Sequence, residues 1–219
     1  MINLKTKNYV KPILFIVSIL TLAGCRQISV SNINNDYVID QDSGKAVDIK
    51  QILDLKGKFD NEEAGETITI PAGIYEGNFV LRNSGTRENP IRITAKSGET
   101  VTLALPSNGA GAILELDHVH DIQLLDNEIS ECMIGIEVGA EQKAPEYPAQ
   151  NILVRGNTMR NNPYGGLWVG GYSDDAGFVT DVIVTRNTFQ KNGTVEDGFY
   201  GEIYQTNVTN LKLSDNTFQ

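Results

Sequence analysis

Apolar residues recur along the C-terminal half of the chain in a frame that repeats every 30, 30 and 29 residues around Asn127, Asn157, Asn187 and Asn216. Five positions before each Asn stand Ile122, Ile152, Val182 and Leu211, and three before stand Leu124, Val154, Val184 and Leu213. Eight before are Val119, Ala149, Val179 and Val208, and two after are Ile129, Met159, Phe189 and Phe218. The position six before is restricted to Asp121, Asn151, Asp181 and Asn210. Alternating apolar residues predict a strand with one buried face, and the Asn marks a bend before a second short strand. Self-similarity at this period predicts stacked units, none of which can bury its apolar face alone. Asn tolerates the left-handed conformation, and its amide can hydrogen-bond an identical neighbour one strand spacing, about 4.8 Å, away. The four residues are therefore expected to form a ladder within the turn.

A further strand is predicted after a variable turn. It reads Ile136, Glu137, Val138 in one coil, Leu167, Trp168, Val169 in the next and Ile203, Tyr204, Gln205 in the last. Alternation turns Ile136, Leu167 and Ile203 inward and leaves Glu137, Trp168 and Tyr204 in an outward column, which the preceding coil extends with Glu115. An exposed Trp beside Tyr and carboxylates can stack and hydrogen-bond a sugar ring; equally, Trp168 can be packed beneath a neighbouring loop. Loops at residues 141–149 and 171–177 on one side, and 161–165 and 191–201 on the other, are expected to wall a groove. Tyr172 belongs to it, and Asp174 and Asp175 offer hard oxygen ligands suited to Ca²⁺.

Upstream, the period changes. Ile49, Ile52 and Leu53 stand at helical spacing within residues 46–59, which predicts a short amphipathic helix placed to cap the first coil, since open solenoid ends expose strand edges and core. No matching cover is evident after the last strand, so end-to-end self-association is an expectation for this chain.

The repeated frame resembles the right-handed parallel β-helix superfamily, the pectate-lyase-like solenoids, whose coils have three short strands and often an internal Asn ladder. Residues 64–103 resemble the opening coils of β-helical polysaccharide lyases, including the alginate lyase and chondroitinase B group, with a GTxxNPIxI core at residues 85–93. The resemblance implies an all-β solenoid of about six coils over residues 64–219, incomplete at its C-terminal end, behind a capping region at 45–63. For a lyase it further implies a strong base, commonly Lys or Arg, beside a neutralised uronate. The motif that carries those residues in the chondroitinase B group does not occur here. Arg160 and Lys191, at or just after the third strand of their coils, are the basic residues nominated instead.

The N-terminus resembles a bacterial lipoprotein signal: Lys5, Lys7 and Lys11 precede an apolar run at residues 12–20, followed by Leu22, Ala23, Gly24 and Cys25. The run is too short to span a membrane. The resemblance implies removal of residues 1–24, lipidation of Cys25, a flexible tether over 25–44 and a place in the cell envelope. By analogy with Gram-negative sorting, Arg26 directs the protein to the outer membrane. Loss of three lysines leaves 15 basic residues against 28 acidic ones, a formal charge of −13, which argues against nucleic acid as a partner. Cys132 is the second of two cysteines, so no intramolecular disulfide forms once Cys25 is lipidated. Two functions follow as expectations: a lipoprotein that binds or processes polysaccharide in the groove, or a non-catalytic structural or protein-interaction lipoprotein.

Overall fold

The computed structural model describes residues 37–39, 46–96, 101–104, 112–140, 148–171, 179–195 and 201–219. Three parallel sheets run along one axis, and successive strands pass from the first to the second to the third before the chain starts the next coil. The first sheet stacks Thr67–Ile70, Ile91–Ala95, His120–Leu125, Ala149–Arg155, Val179–Thr185 and Val208–Ser214. The second stacks six short strands, Gly73–Glu76 through Thr217–Phe218, and the third stacks five, Phe79–Leu81 through Ile203–Thr206. The chain is a parallel β-solenoid.

Register follows the apolar frame. In the first sheet Ile122, Ile152, Val182 and Leu211 pair in succession from coil to coil, as do Leu124, Val154, Val184 and Leu213. In the second, Ile129, Met159, Phe189 and Phe218 form one column. Apart from Leu213 and Phe218 of the last coil, which are 49% and 57% exposed, these residues meet inside the prism in a single cluster with Ile136 and Leu167 of the third sheet, Leu211 packing against it. A one-residue slip would turn every such side chain to solvent, and full burial of each is worth roughly 1.5–3 kcal/mol, so the register is strongly held.

The Asn ladder is continuous. Asn127 Nδ2 donates to Asn157 Oδ1 at 3.0 Å, Asn157 Nδ2 to Asn187 Oδ1 at 3.1 Å and Asn187 Nδ2 to Asn216 Oδ1 at 3.0 Å. Each acceptor oxygen also takes the backbone N–H of the preceding coil's Asn, at 2.9–3.0 Å. The bend itself is made elsewhere than expected. Left-handed residues here include those just before the ladder, Asp126, Gly156, Arg186 and Asp215, and the column Asp121, Asn151, Asp181 and Asn210. Asn serves in the ladder as a two-sided hydrogen-bonding group, and the Asp/Asn choice six positions earlier answers the need for positive φ.

The helix spans Ile49–Asn61, and the stripe it buries differs from the expected one. Leu55 and Phe59 enter the core with Ile52 beside them, whereas Leu53 is 62% exposed. Phe59 meets Phe79 of the third sheet with ring centroids 5.5 Å apart. Beyond the helix, buried Glu62 accepts N–H bonds from Arg82 (3.3 Å) and Asn83 (3.0 Å), tying the helix end to the first coil. Residues 46–48 are not helical: Ala46–Asp48 pairs antiparallel with Tyr37–Ile39, a strand within the stretch expected to be a tether. Among the described residues no helix is long and apolar enough to cross a membrane.

The motif at residues 85–93 has a local cause. Thr86 and Asn89 exchange two backbone hydrogen bonds at 3.0 Å, and Gly85 N–H donates to His120 O at 3.0 Å. A Cβ on Gly85 would lie 2.5 Å from Asp121 O, so this position excludes every larger residue. The tight turn delivers Ile91 and Ile93 to the core.

Candidate functional site

The third sheet carries the predicted column in the predicted register. Glu137 pairs with Glu115 on one side and Trp168 on the other, and Trp168 pairs with Tyr204. Their neighbours Ile136, Leu167 and Ile203 face or pack against the main core, so the column points outward. It is nevertheless not open. Trp168 and Glu137 are each 2% exposed, so of the two readings of Trp168 the packed one holds. Trp168 forms a second apolar cluster with Ile134, against which half-buried Tyr164 and Tyr204 pack. Two tyrosine rings thus pack on the Trp168 cluster, and they are its more exposed members.

The two basic candidates stand off this sheet. Arg160 ends the Thr158–Arg160 strand of the second sheet, and its Nε and Nη2 donate to Glu128 Oε1 at 2.7 and 2.6 Å. A guanidinium so held has a carboxylate partner of its own and is poorly placed to remove a proton from substrate. Lys191 follows the Thr188–Gln190 strand at a left-handed corner, with its side chain in solvent. The structure brings neither into the Trp168 cluster. Tyr172, Asp174, Asp175 and Cys25 lie outside the described residues, as do most residues of the loops expected to wall the groove. Among the described residues no group of three or more His, Cys, Asp and Glu side chains is arranged to hold a metal.

Two features escaped the sequence. The first is a second polar ladder at the corner between the second and third sheets. Asn162 Nδ2 donates to Asn192 Oδ1 at 2.8 Å, Cys132 N–H donates to Asn162 Oδ1 at 3.0 Å, and Glu202 closes the row by accepting from Asn192 N–H and Nδ2. An Asn five residues after each of two main-ladder positions was the available signal. This row fixes the corner from which the Trp168 strand departs. The second is a concavity of about 480 Å³ on the outer face of the first sheet, away from the Trp168 column.

This geometry has a counterpart among solved structures. The chain has the fold of an alginate lyase. The crystal structure of that enzyme, from Paenibacillus sp. strain FPU-7, superposes with a TM-score of 0.58 and 18% identity, covering 74% of this chain and 55% of the lyase chain. At that identity the likeness establishes the fold. In sequence, 92 residues are 36% identical to the uncharacterized protein YwoF of Bacillus subtilis strain 168, covering 42% of this chain and 19% of YwoF. The chain thus spans about half the lyase and a smaller share of YwoF. No family model matches it.

Proposed function

We propose that this protein is a lipid-anchored envelope protein that binds or processes polysaccharide on its third sheet. The observation that carries the reading is the aromatic cluster of Trp168, Tyr164 and Tyr204, in which Trp168 and Tyr204 pair on adjacent strands, on a solenoid with the fold of an alginate lyase. Half-buried Tyr204 and Tyr164 offer aromatic faces on which sugar rings can stack, with Trp168 as their rigid support. Crossover connections between parallel strands are right-handed in nearly all proteins, which supports the right-handed winding of the pectate-lyase-like group. The Cys25 anchor and outer-membrane placement rest on the N-terminal sequence. Ca²⁺ at Asp174 and Asp175 would offset the formal charge of −13 of the processed chain against an anionic polymer.

The burial of Trp168 and Glu137 and the Glu128 pairing of Arg160 favour a second reading, a non-catalytic binding lipoprotein. One experiment separates the two. Protein lacking residues 1–25 is incubated with alginate, pectate and chondroitin, with and without Ca²⁺, while ultraviolet absorbance follows any unsaturated uronate and affinity electrophoresis follows binding. Product formation establishes a lyase; retardation without product establishes the binding protein. Tyr204→Ala is expected to weaken either signal, and an unchanged signal in that variant sinks the third-sheet site.

A further inference from the structure

The concavity on the first sheet is built by four successive coils. Its floor is the left-handed column Asp121, Asn151, Asp181 and Asn210, in which Asn151 Nδ2 donates to Asp121 Oδ1 and Asn210 Nδ2 donates to Asp181 Oδ1. Positive φ explains why these residues are Asp or Asn, but not why a recess opens beside them. Gln150 and Ile183 line the same recess, and Arg87 and Lys212 complete its lining. Ile183 is 40% exposed, an uncovered β-branched side chain amid polar groups. Like groups recur about every 4.8 Å along the axis, so the recess presents a repeating array to whatever lies in it.

We propose that this concavity binds a neutral polysaccharide strand lying along the solenoid axis, with its hydroxyls on the Asp–Asn column and the C–H face of a sugar ring on Ile183. Carboxylates and side-chain amides together offer acceptors and donors, matching hydroxyl groups that do both. Arg87 and Lys212 balance Asp121 and Asp181 across the lining, which therefore offers a polyuronate no net positive charge. A peptide adding as a strand needs free backbone groups, whereas inside this sheet the Ala149–Arg155 and Val179–Thr185 strands are paired on both sides. The site is separate from the third-sheet reading and stands or falls without it.

Affinity electrophoresis of the whole chain in gels containing a soluble β-glucan or a galactomannan tests this, with alginate and polygalacturonate as anionic controls. Retardation by a neutral polymer is expected, with affinity falling about tenfold or more in Ile183→Asp and in Gln150→Ala and staying unchanged in Tyr204→Ala. Both substituted side chains reach solvent, and unchanged circular dichroism would verify that the variants fold. Three results overturn the proposal: no retardation by either neutral polymer, retardation by the polyuronates alone, or retardation that survives Ile183→Asp and Gln150→Ala. A loss confined to Tyr204→Ala would assign neutral glycan to the third sheet instead.

Discussion

Replacing Asn157 by Ala removes one oxygen that two donors share. Asn157 Oδ1 accepts the backbone N–H of Asn127 at 3.0 Å and its Nδ2 at 3.0 Å, and Asn127 is 2% exposed, so water cannot take over. A buried donor left without an acceptor costs about 1–3 kcal/mol. The backbone N–H should cost near the top of that range, whereas Asn127 Nδ2 keeps Leu125 O at 2.9 Å and should cost near the bottom. The sum is about 3–4 kcal/mol, which for a chain of this length lowers Tm by roughly 10 °C. Asn216→Ala removes the same type of acceptor from Asn187, but at a half-buried position water can reach, so about 1 kcal/mol is expected. Thermal melts of both variants followed by circular dichroism provide the comparison. Equal shifts for the two, or an Asn157→Ala melt within about 2 °C of the parent protein, would refute the claim that buried ladder bonds hold the coils together.

Gly170 has φ +148°, and a Cβ there would lie 1.8 Å from Thr206 O, so Gly170→Ala should force apart the Gly165–Gly171 and Ile203–Thr206 strands and cost about 2–4 kcal/mol in denaturant titration. Arg160→Ala breaks a partly exposed pair with Glu128 and should change stability by no more than about 1 kcal/mol; loss of all lyase product in that variant would restore Arg160 as a catalytic candidate. Trp168 is the chain's one Trp and is 2% exposed, so native fluorescence should be that of a buried indole and should shift to the red on unfolding. A native spectrum already at the solvent position would contradict the packed cluster.

Sheet order, register and the ladder were legible in the sequence because each depends on a residue type repeated at a fixed spacing. Ile122, Ile152 and Val182 fill equivalent places in successive coils, and equivalent places demand equivalent side chains. The direction of Trp168 was legible for the same reason, since alternation fixes the side of the sheet. Whether it is exposed or packed was not, because alternation says nothing of what lies over a side chain; Tyr164 at a corner and Tyr204 in the next coil pack against it, and no periodic rule governs how such rings tilt. The helix stripe falls two positions from the expected Leu53: Leu53 and Leu55 both fit an apolar pattern, and the choice between them is made by the coil below. The left-handed residues before the ladder were hidden by their variety, Arg186 among them, because the bend is imposed by the sheets on either side. The first-sheet recess had no signal beyond an Asp/Asn column that backbone conformation alone accounts for.

The doubled ladder also makes this chain resemble a one-dimensional crystal more than a conventional globule. Asn127, Asn157 and Asn187 occupy lattice points, and each coil meets its neighbours through the same bonds in the same register. Such a lattice has no intrinsic length. Excising residues 158–187 would join one lattice point to its translational copy, and duplicating them would add a coil without altering any turn. The size of the protein is thus a free variable, and evolution or an engineer can change the number of coils without redesigning the fold.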